Sequence, residues 1–244
     1  MLSSIHRKSY PAYKSLRGSY DFREYTLSID HVQGDPFASP SDVSVPIPLL
    51  KTGIPKEYYQ AAHTKTALED ALLRQFESEI QKYNFRAKGS GKSGLISVSR
   101  PDQEILKRTA LSLTSRELIA RFEVGFPANG RTINAPELEK ILFDFLPVCV
   151  RRSFYYKNLD AAVYREVFEL AEDQQFIRNE IKRLNLAAFV ADGSVLPRES
   201  GVSSRPLRDC VPFVSPESLR ITLDLPYKGK LSGMGIPKGI TLIV

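Results

Sequence analysis

The C-terminal stretch of this sequence alternates strictly between apolar and polar residues, and this alternation limits what the chain can fold into. Apolar side chains occupy every second position from residue 219 to residue 225, namely Leu219, Ile221, Leu223 and Leu225. A period of two is typical of a strand with one buried face. A turn is predicted at residues 226–229, and the β-branched run 240–244 predicts a further strand that is buried on both faces. Such a strand is expected inside an α/β sheet.

Size and composition limit the broad class. The chain has 244 residues, 42% hydrophobic and 25% charged, which suffices for one large domain or two modest ones. No apolar run approaches the roughly 20 residues that span a bilayer, so we expect no membrane partner. Cys149 and Cys210 are far apart and the histidines follow no ligand spacing, so neither disulfides nor metal sites are predicted. A cytoplasmic location is expected, with an organelle as the alternative because residues 1–20 are basic and lack acids.

The first part of the chain predicts an α+β domain with a mixed or antiparallel sheet. Alternating residues over 25–31 predict a strand. Residues 43–48 contain Pro46 and Pro48 and predict an edge strand, and we exclude a central position because proline lacks the N–H that a sheet ladder needs. Residues 56–83 predict an amphipathic helix that packs on the sheet. Residues 105–113 and 118–126 predict an antiparallel pair of strands.

The second part predicts helices followed by the start of an α/β core. One helix should begin at Asn134 and kink or end at Pro147. Residues 160–184 predict a longer helix whose buried stripe is Val163, Val167, Leu170, Ile177, Ile181 and Leu184. We assign its acidic residues to a solvated face: Glu166, Glu169, Glu172 and Asp173. Residues 186–191 then predict a buried strand.

The glycine-rich loop 87–94 partly matches a phosphate-binding loop. Gly91, Lys92 and Ser93 fit the end of GxxxxGK[ST], but Arg86 stands where the first glycine belongs. The order of elements is also reversed, because a Walker A loop lies between a strand and a helix, whereas here a helix precedes and a strand follows. We interpret the loop as a flexible connection and not as an ATP site. A phosphate contact through Lys92 and backbone amides stays open.

Five short segments carry a resemblance to a known family. They are residues 30–38, 89–94, 188–194, 212–219 and 233–244, which read DHVQGDPFA, GSGKSG, AFVADGS, PFVSPESL and GMGIPKGITLIV. Together, and in this order, they resemble the predicted ATPases of the ABC class, over residues 10–244. The resemblance implies an N-terminal α+β domain at residues 1–157 and the incomplete start of an α/β ATPase core at residues 158–244.

The resemblance also implies ligands and partners. In that family the Walker A loop would come next, so we expect the chain to stop just before it and to have the remaining ATPase core as a partner. ATP and Mg²⁺ are implied only for the complete parent protein. Because the sequence lacks Walker A and Walker B residues, we expect no ATP hydrolysis by this chain alone. Tyr227, the aromatic residue nearest to the expected loop, is a candidate to stack on adenine.

The excess of positive charge favours a polyanionic partner. The net charge is +6 and the isoelectric point about 9.2. Basic tracts with aromatic neighbours suit RNA or another single-stranded nucleic acid, because lysine and arginine contact phosphates while bases stack on rings. The predicted contact residues are Arg86, Lys88, Lys92, Arg100, Arg151, Arg152, Tyr155 and Lys157. The alternative is a structural or interaction domain that supports the ATPase core and binds no nucleic acid.

Overall fold

The computed structural model describes residues 1–240, so the strand predicted for residues 240–244 lies, apart from its first residue, outside the described part of the chain. In chain order the strands are β1 (Gly18–Asp21), β2 (Thr26–His31), β3 (Ser41–Pro48), β4 (Ile96–Ser97), β5 (Leu111–Leu113), β6 (Glu117–Val124), β7 (Ala128–Asn129), β8 (Thr132–Ile133), β9 (Leu186–Ala191), β10 (Arg198–Ser200), β11 (Ser203–Pro206), β12 (Arg220–Leu225) and β13 (Gly229–Pro237).

The α-helices are α1 (Leu2–Ile5), α2 (Leu49–Thr52), α3 (Ala62–Gln81), α4 (Ala135–Glu139), α5 (Leu146–Phe154) and α6 (Ala161–Arg183). A π-helical segment, Lys140–Phe145, joins α4 to α5. Short 3-10 helices occupy Tyr10–Leu16, Lys56–Tyr59, Tyr156–Asn158 and Glu217–Leu219. Within residues 1–240, none of these helices combines the length and the apolar character that crossing a membrane requires.

An antiparallel sheet and one long helix form the N-terminal core. The strand order is β1-β2-β3-β6-β4, and β5 also pairs with β6. Alternate residues of β6 are buried, namely Leu118, Ala120, Phe122 and Val124. The buried apolar residues of α3 are Ala67, Leu68, Leu72, Leu73, Phe76 and Ile80. The predicted amphipathic helix and the mixed class of helices and antiparallel strands are therefore confirmed.

The sequence excludes β3 from the interior of the sheet, and this prediction is wrong. β3 has β2 on one side and β6 on the other. Its pairing with β2 involves Asp42, Val43 and Ser44, whereas its pairing with β6 runs the whole length of the strand. Pro46 and Pro48 lie beyond the part that β2 covers, where a missing N–H can face an unpaired side. The preference of proline for edges holds locally, not for the whole strand.

Pro147 does not end the helix in which it lies. The helical run continues through α4, the π-helical segment and α5 as far as Phe154. Pro147 occupies the first turn of α5, directly after the π-helical turns. In a regular α-helix its ring would clash with the preceding turn, and its missing N–H would leave a carbonyl unpaired. The wider π-helical turns accommodate both effects.

A second antiparallel sheet, of order β12-β13-β9, follows α6. β12 and the turn at residues 226–229 agree with the sequence prediction. β13 covers Gly229–Pro237, where no strand is predicted from the sequence. The predicted burial of β9 is only partly right, because Leu186 is buried but Ala187 is exposed.

The helix α6 buries a different face from the predicted stripe. Three stripe residues are 48%, 50% and 38% exposed, respectively Val163, Leu170 and Leu184. The buried positions are Tyr164, Ala171 and Asp173. Tyr164 joins the N-terminal core, and the ring of Phe168 stacks on Tyr58 with 5.2 Å between centroids. Aromatic rings bury more apolar area than valine or leucine, so they set the rotation of α6. Tyr164 and Phe168 therefore attach α6 to the N-terminal core.

Asp173 is not on a solvated acidic face, as the sequence predicts. Its side chain is buried, and its carboxylate oxygens accept hydrogen bonds from the backbone N–H groups of Tyr227 and Lys228, both at 3.0 Å. A carboxylate is stable away from water only when it is paired or hydrogen-bonded. Asp173 therefore attaches the turn between β12 and β13 to α6.

Replacing Asp173 should destabilise the protein. We expect Asp173→Ala to lower the free energy of unfolding by about 3 kcal/mol, because two hydrogen bonds to a charged group are lost. Glu166→Ala, on the exposed face of the same helix, is the control and should change it by less than about 0.5 kcal/mol. Urea unfolding followed by circular dichroism measures both. Equal effects of the two changes would contradict the assigned role of Asp173.

Candidate nucleic-acid interface

The structure gives the predicted contact residues different environments. The exposed ones are Arg86, Lys88, Arg100, Arg151, Arg152 and Lys157. Lys92 is half-buried and Tyr155 is buried. The exposed side chains can meet a phosphate from solvent, whereas the other two are restricted by their surroundings.

The base-stacking role predicted for Tyr155 is wrong. The residue is only 5% exposed, and its hydroxyl donates a hydrogen bond of 3.0 Å to the backbone carbonyl of Glu24. Burial, together with the nearby carboxylate of Glu24, raises the pKa of this hydroxyl to about 12. The ring belongs to the hydrophobic core and cannot stack on a base without unfolding its surroundings.

The three cations near the end of α5 share one open cavity. Arg151, Arg152 and Lys157 line a volume of about 540 Å³ with Val148 and Asn158. The amide of Asn158 donates to the carbonyl of Arg151 at 2.9 Å, which holds the end of α5 in place. Cations in the last turn of a helix also offset its partial negative charge, so part of this arrangement stabilises α5 itself.

Glu79 brings two cations together where α3 and α5 meet. Its carboxylate lies 2.5 Å from the ammonium of Lys82 and 3.7 Å from the guanidinium of Arg152. After the end of α3, the guanidinium of Arg86 lies 5.4 Å from the centre of the Tyr83 ring, within the range of a cation–π interaction. Lys82 and Arg152, which are far apart in sequence, therefore share one carboxylate.

The sequence prediction misses Lys82 and Glu79. Both lie on α3, three residues apart, so they face the same side of the helix. The spacing of three residues between Glu79 and Lys82 was available in the sequence as a signal. The contact with Arg152 was not, because it depends on how α5 packs against α3.

The backbone of the glycine-rich loop 87–94 is occupied by internal hydrogen bonds. The N–H groups of Ser90, Lys92 and Gly94 donate to the carbonyls of Ala128, Pro36 and Gly125 at 2.8, 2.8 and 2.9 Å. The strand β4, not a helix, follows the loop. The loop therefore does not fit the phosphates of ATP, which need free N–H groups at the start of a helix. It is a packed connection and not the flexible one that the sequence predicts.

Close backbone packing explains the glycines around this loop. A Cβ atom added to Gly125 would fall well inside contact distance of the Lys92 carbonyl oxygen, and one added to Gly94 would meet the carbonyl of Ala87. Gly94 also has a φ of 80°, which side chains rarely adopt. Close packing of the backbone therefore accounts for the glycines here without any bound phosphate.

A methyl group at Gly125 should disturb the loop. We expect Gly125→Ala to lower the free energy of unfolding by about 2 kcal/mol, because backbone must move to relieve the overlap. Gly34→Ala is the matched control, since its added Cβ meets nothing within 4 Å and its φ is not positive. Denaturant unfolding of both variants checks the prediction, and a Gly125→Ala protein as stable as the control would contradict it.

Glu137 lowers the positive potential beside Lys88. Its carboxylate accepts a hydrogen bond of 2.8 Å from the Lys88 backbone N–H and lies 2.5 Å from the ammonium of Lys140. Burial acts to raise the pKa of Glu137, but the Lys140 ammonium and the Lys88 N–H outweigh it and hold that pKa below its usual value. The carboxylate is therefore charged at neutral pH, and Lys88 should contribute less to binding an anion than Arg151.

Two predicted residues lie outside the cavity of Arg151. Arg100 lines a different cavity, with its guanidinium 3.9 Å from the Glu77 carboxylate. Tyr227 is 48% exposed in the turn after β12, and its ring meets the edge of Phe168 with 5.8 Å between centroids. One face of Tyr227 is thus supported by protein, and the structure contains no phosphate site near it among the residues described.

Comparison with known protein families gives two matches. The family model of the N-terminal region of ATPases of the ABC class matches residues 1–157, and a P-loop domain model of ABC ATPases matches residues 160–244. The first match alone covers more than half of the 244 residues. No curated protein matches the chain.

Proposed function

Because this chain belongs to the ABC-class family of ATPases, we propose that it provides such an ATPase with a binding surface for RNA or another single-stranded nucleic acid. The family matches make it an ATPase-type protein and say nothing about nucleic acid. Support for the partner comes from the cavity at the end of α5, which is lined by Arg151, Arg152 and Lys157.

The observation that carries the proposal is a pair of cations without ion-pair partners in one cavity. Arg151 and Lys157 make no ion pair among residues 1–240, and they line the same cavity. Neutralising phosphates releases counterions from a nucleic acid, and this favours binding to unpaired cations. Phe85, 50% exposed next to Arg86, offers a ring for stacking in place of Tyr155. A single strand, with its bases free, can use both features.

A structural role is the second candidate function. Arg152 already lies near Glu79, and both arginines complement the C-terminal end of α5. If that were their whole purpose, the surface would support the ATPase core without binding nucleic acid. The salt dependence of binding separates the two candidates.

Binding of oligo-uridine should weaken with salt. With about three or four phosphates neutralised, the logarithm of affinity should fall against the logarithm of salt concentration with a slope near −0.7 per contact. Arg151→Ala and Lys157→Ala should each flatten the slope by about 0.7, and Lys88→Ala by less because Glu137 lies beside it. Fluorescence anisotropy at several salt concentrations measures these slopes.

The control is Arg116→Ala, which removes an exposed positive charge in the turn before β6, away from the cavity of Arg151. It should leave the slope unchanged. An affinity that does not depend on salt, or the same slope in every variant as in the unmodified protein, would contradict the nucleic-acid proposal and leave the structural role.

We propose further that ATP and Mg²⁺ are ligands of the complete ATPase, that residues 1–157 and 158–244 are its separate domains, and that it acts in the cytoplasm. Cys149 and Cys210 are both free thiols, as a reducing compartment favours. Tyr227 is our candidate to stack on the adenine, because its ring is half-exposed and supported by Phe168.

The chain alone should show no ATPase activity. The N–H groups of Ser90, Lys92 and Gly94 already donate to backbone carbonyls, and no helix follows the loop, so Lys92→Ala should also leave the turnover of the complete ATPase largely unchanged. By contrast, losing a group that stabilises the charge of the transition state lowers turnover by about two orders of magnitude or more. Phosphate release from ATP measures this, and a large loss in a normally folded Lys92→Ala protein would contradict our interpretation of the loop.

A further inference from the structure

Three neighbouring cavities run along α3 and share lining residues. The first is the cavity of Arg151, Arg152 and Lys157 described above. Asn158 lines both this cavity and a second one of about 420 Å³, and Arg74 lines both the second cavity and a third of about 570 Å³. The shared residues make these cavities adjacent, and we name the row of three cavities the α3 groove.

The far end of the α3 groove is an arginine cluster, of which the sequence indicated only Arg100. The third cavity is lined by Arg74 of α3, Arg100 of the loop after β4, and Arg205 of β11, with the polar residues Ser203 and Ser204. Arg205 forms no ion pair with any of residues 1–240. The side chain of Arg100 is 81% exposed and 3.9 Å from Glu77. Two of the three guanidinium groups are thus available to an anion.

The acidic residues of this cluster are engaged in holding its walls. Asp70 is buried and binds Arg74 at 2.6 Å, and it also pairs with Arg108. Asp102 lines the third cavity, where it accepts a hydrogen bond from the Ser204 hydroxyl. This bond, the largest cause, together with the charges of Arg198 and Arg74, holds the pKa of Asp102 below its usual value. Asp102 subtracts one charge from the cluster and joins the loop after β4 to the hairpin of β10 and β11.

The middle of the groove is largely uncharged. The second cavity is lined by the apolar side chains of Ala71, Leu159, Val163 and Val167 and by the amides of Gln75 and Asn158. Asp160 also lines this cavity, and its carboxylate accepts a hydrogen bond of 3.0 Å from the Ala162 N–H, which caps α6. Apolar and amide groups suit the faces and edges of bases, whereas the arginine-rich ends suit phosphates.

We infer that the α3 groove is the path of the bound single strand, with phosphate contacts at both ends and bases over the middle. This inference rests on the proposed function and adds the site formed by Arg100 and Arg205. The strand would contact both parts of the protein, since Arg151 lies in residues 1–157 and Arg205 in residues 160–244. A strand too short to reach from end to end would use only one of the two sites.

Oligo-uridines of two lengths, about 4 and about 16 nucleotides, test this path. The unmodified protein should bind the long strand more tightly and with a steeper salt slope. In the double variant Arg100→Ala/Arg205→Ala the slope for the long strand should flatten by about 1.4, and the affinity at moderate salt should fall on the order of tenfold. Arg100→Lys/Arg205→Lys, which keeps both charges, should restore most of the slope, and Arg116→Ala should change nothing.

The outcomes separate this inference from the proposed function. Absence of salt-dependent binding by the unmodified protein would overturn both. Normal binding with the same slope in the double alanine variant, checked for native folding by thermal unfolding, would overturn the path alone. ATP without nucleic acid tests the other source of phosphate: if ATP binds the unmodified protein but not the double alanine variant, while both bind the long strand with the same slope, the arginine cluster is a nucleotide site and the path is wrong.

Discussion

The packing of Phe76 between the sheet and α5 is the interaction on which the rest of the structure depends. This ring is fully buried, 5.3 Å from the ring of Phe122 in β6 and 4.9 Å from that of Phe154 in α5. Removing such an aromatic side chain from a core typically costs about 3–5 kcal/mol. Because a helix has 3.6 residues per turn, fixing Phe76 inside also fixes which residues of α3 face outward. Arg74, Gln75 and Lys82 face outward, so the packing of the core determines where these residues of the candidate site lie.

Buried carboxylates on α3 fix its neighbours in turn. Glu69, Asp70 and Glu79 are each no more than 5% exposed. Glu69 accepts a hydrogen bond of 2.7 Å from the Leu113 N–H of β5, Asp70 pairs with Arg74 and Arg108, and Glu79 contacts Lys82. An ion pair out of water contributes little net stability, but leaving one partner alone is costly. These contacts therefore select one position for β5 and for the loop before it, and they hold Arg74 at the wall of the groove.

Local sequence patterns predicted the elements of this fold better than their surroundings. Alternation and helical spacing identified the strand β6, the helix α3 and the hairpin turn after β12, because those signals depend on neighbours in sequence. The burial of Tyr155 and Asp173 and the central position of β3 depend on contacts between distant segments. In the glycine-rich loop, the pattern GKS is shared by a phosphate-binding loop and by a tight backbone crossing, and only the partners of its N–H groups distinguish them.

In the candidate site, too, residues that are close in sequence could be predicted and contacts between distant segments could not. Arg151, Arg152 and Lys157 are close in sequence, so one tract was enough to find their cavity. Arg74, Arg100 and Arg205 come from three segments, and their meeting depends on the hydrogen bond between Asp102 and Ser204. That bond lies between the parts of the chain that match two different family models. A ligand in contact with both parts would favour the arrangement in which they touch. A change in the P-loop part that moves the β10–β11 hairpin would then alter the affinity for that ligand, and by linkage the ligand would shift the equilibrium of that change by the same factor. This polar contact joins the two parts at the groove, in addition to the hydrophobic core that they share through Tyr164.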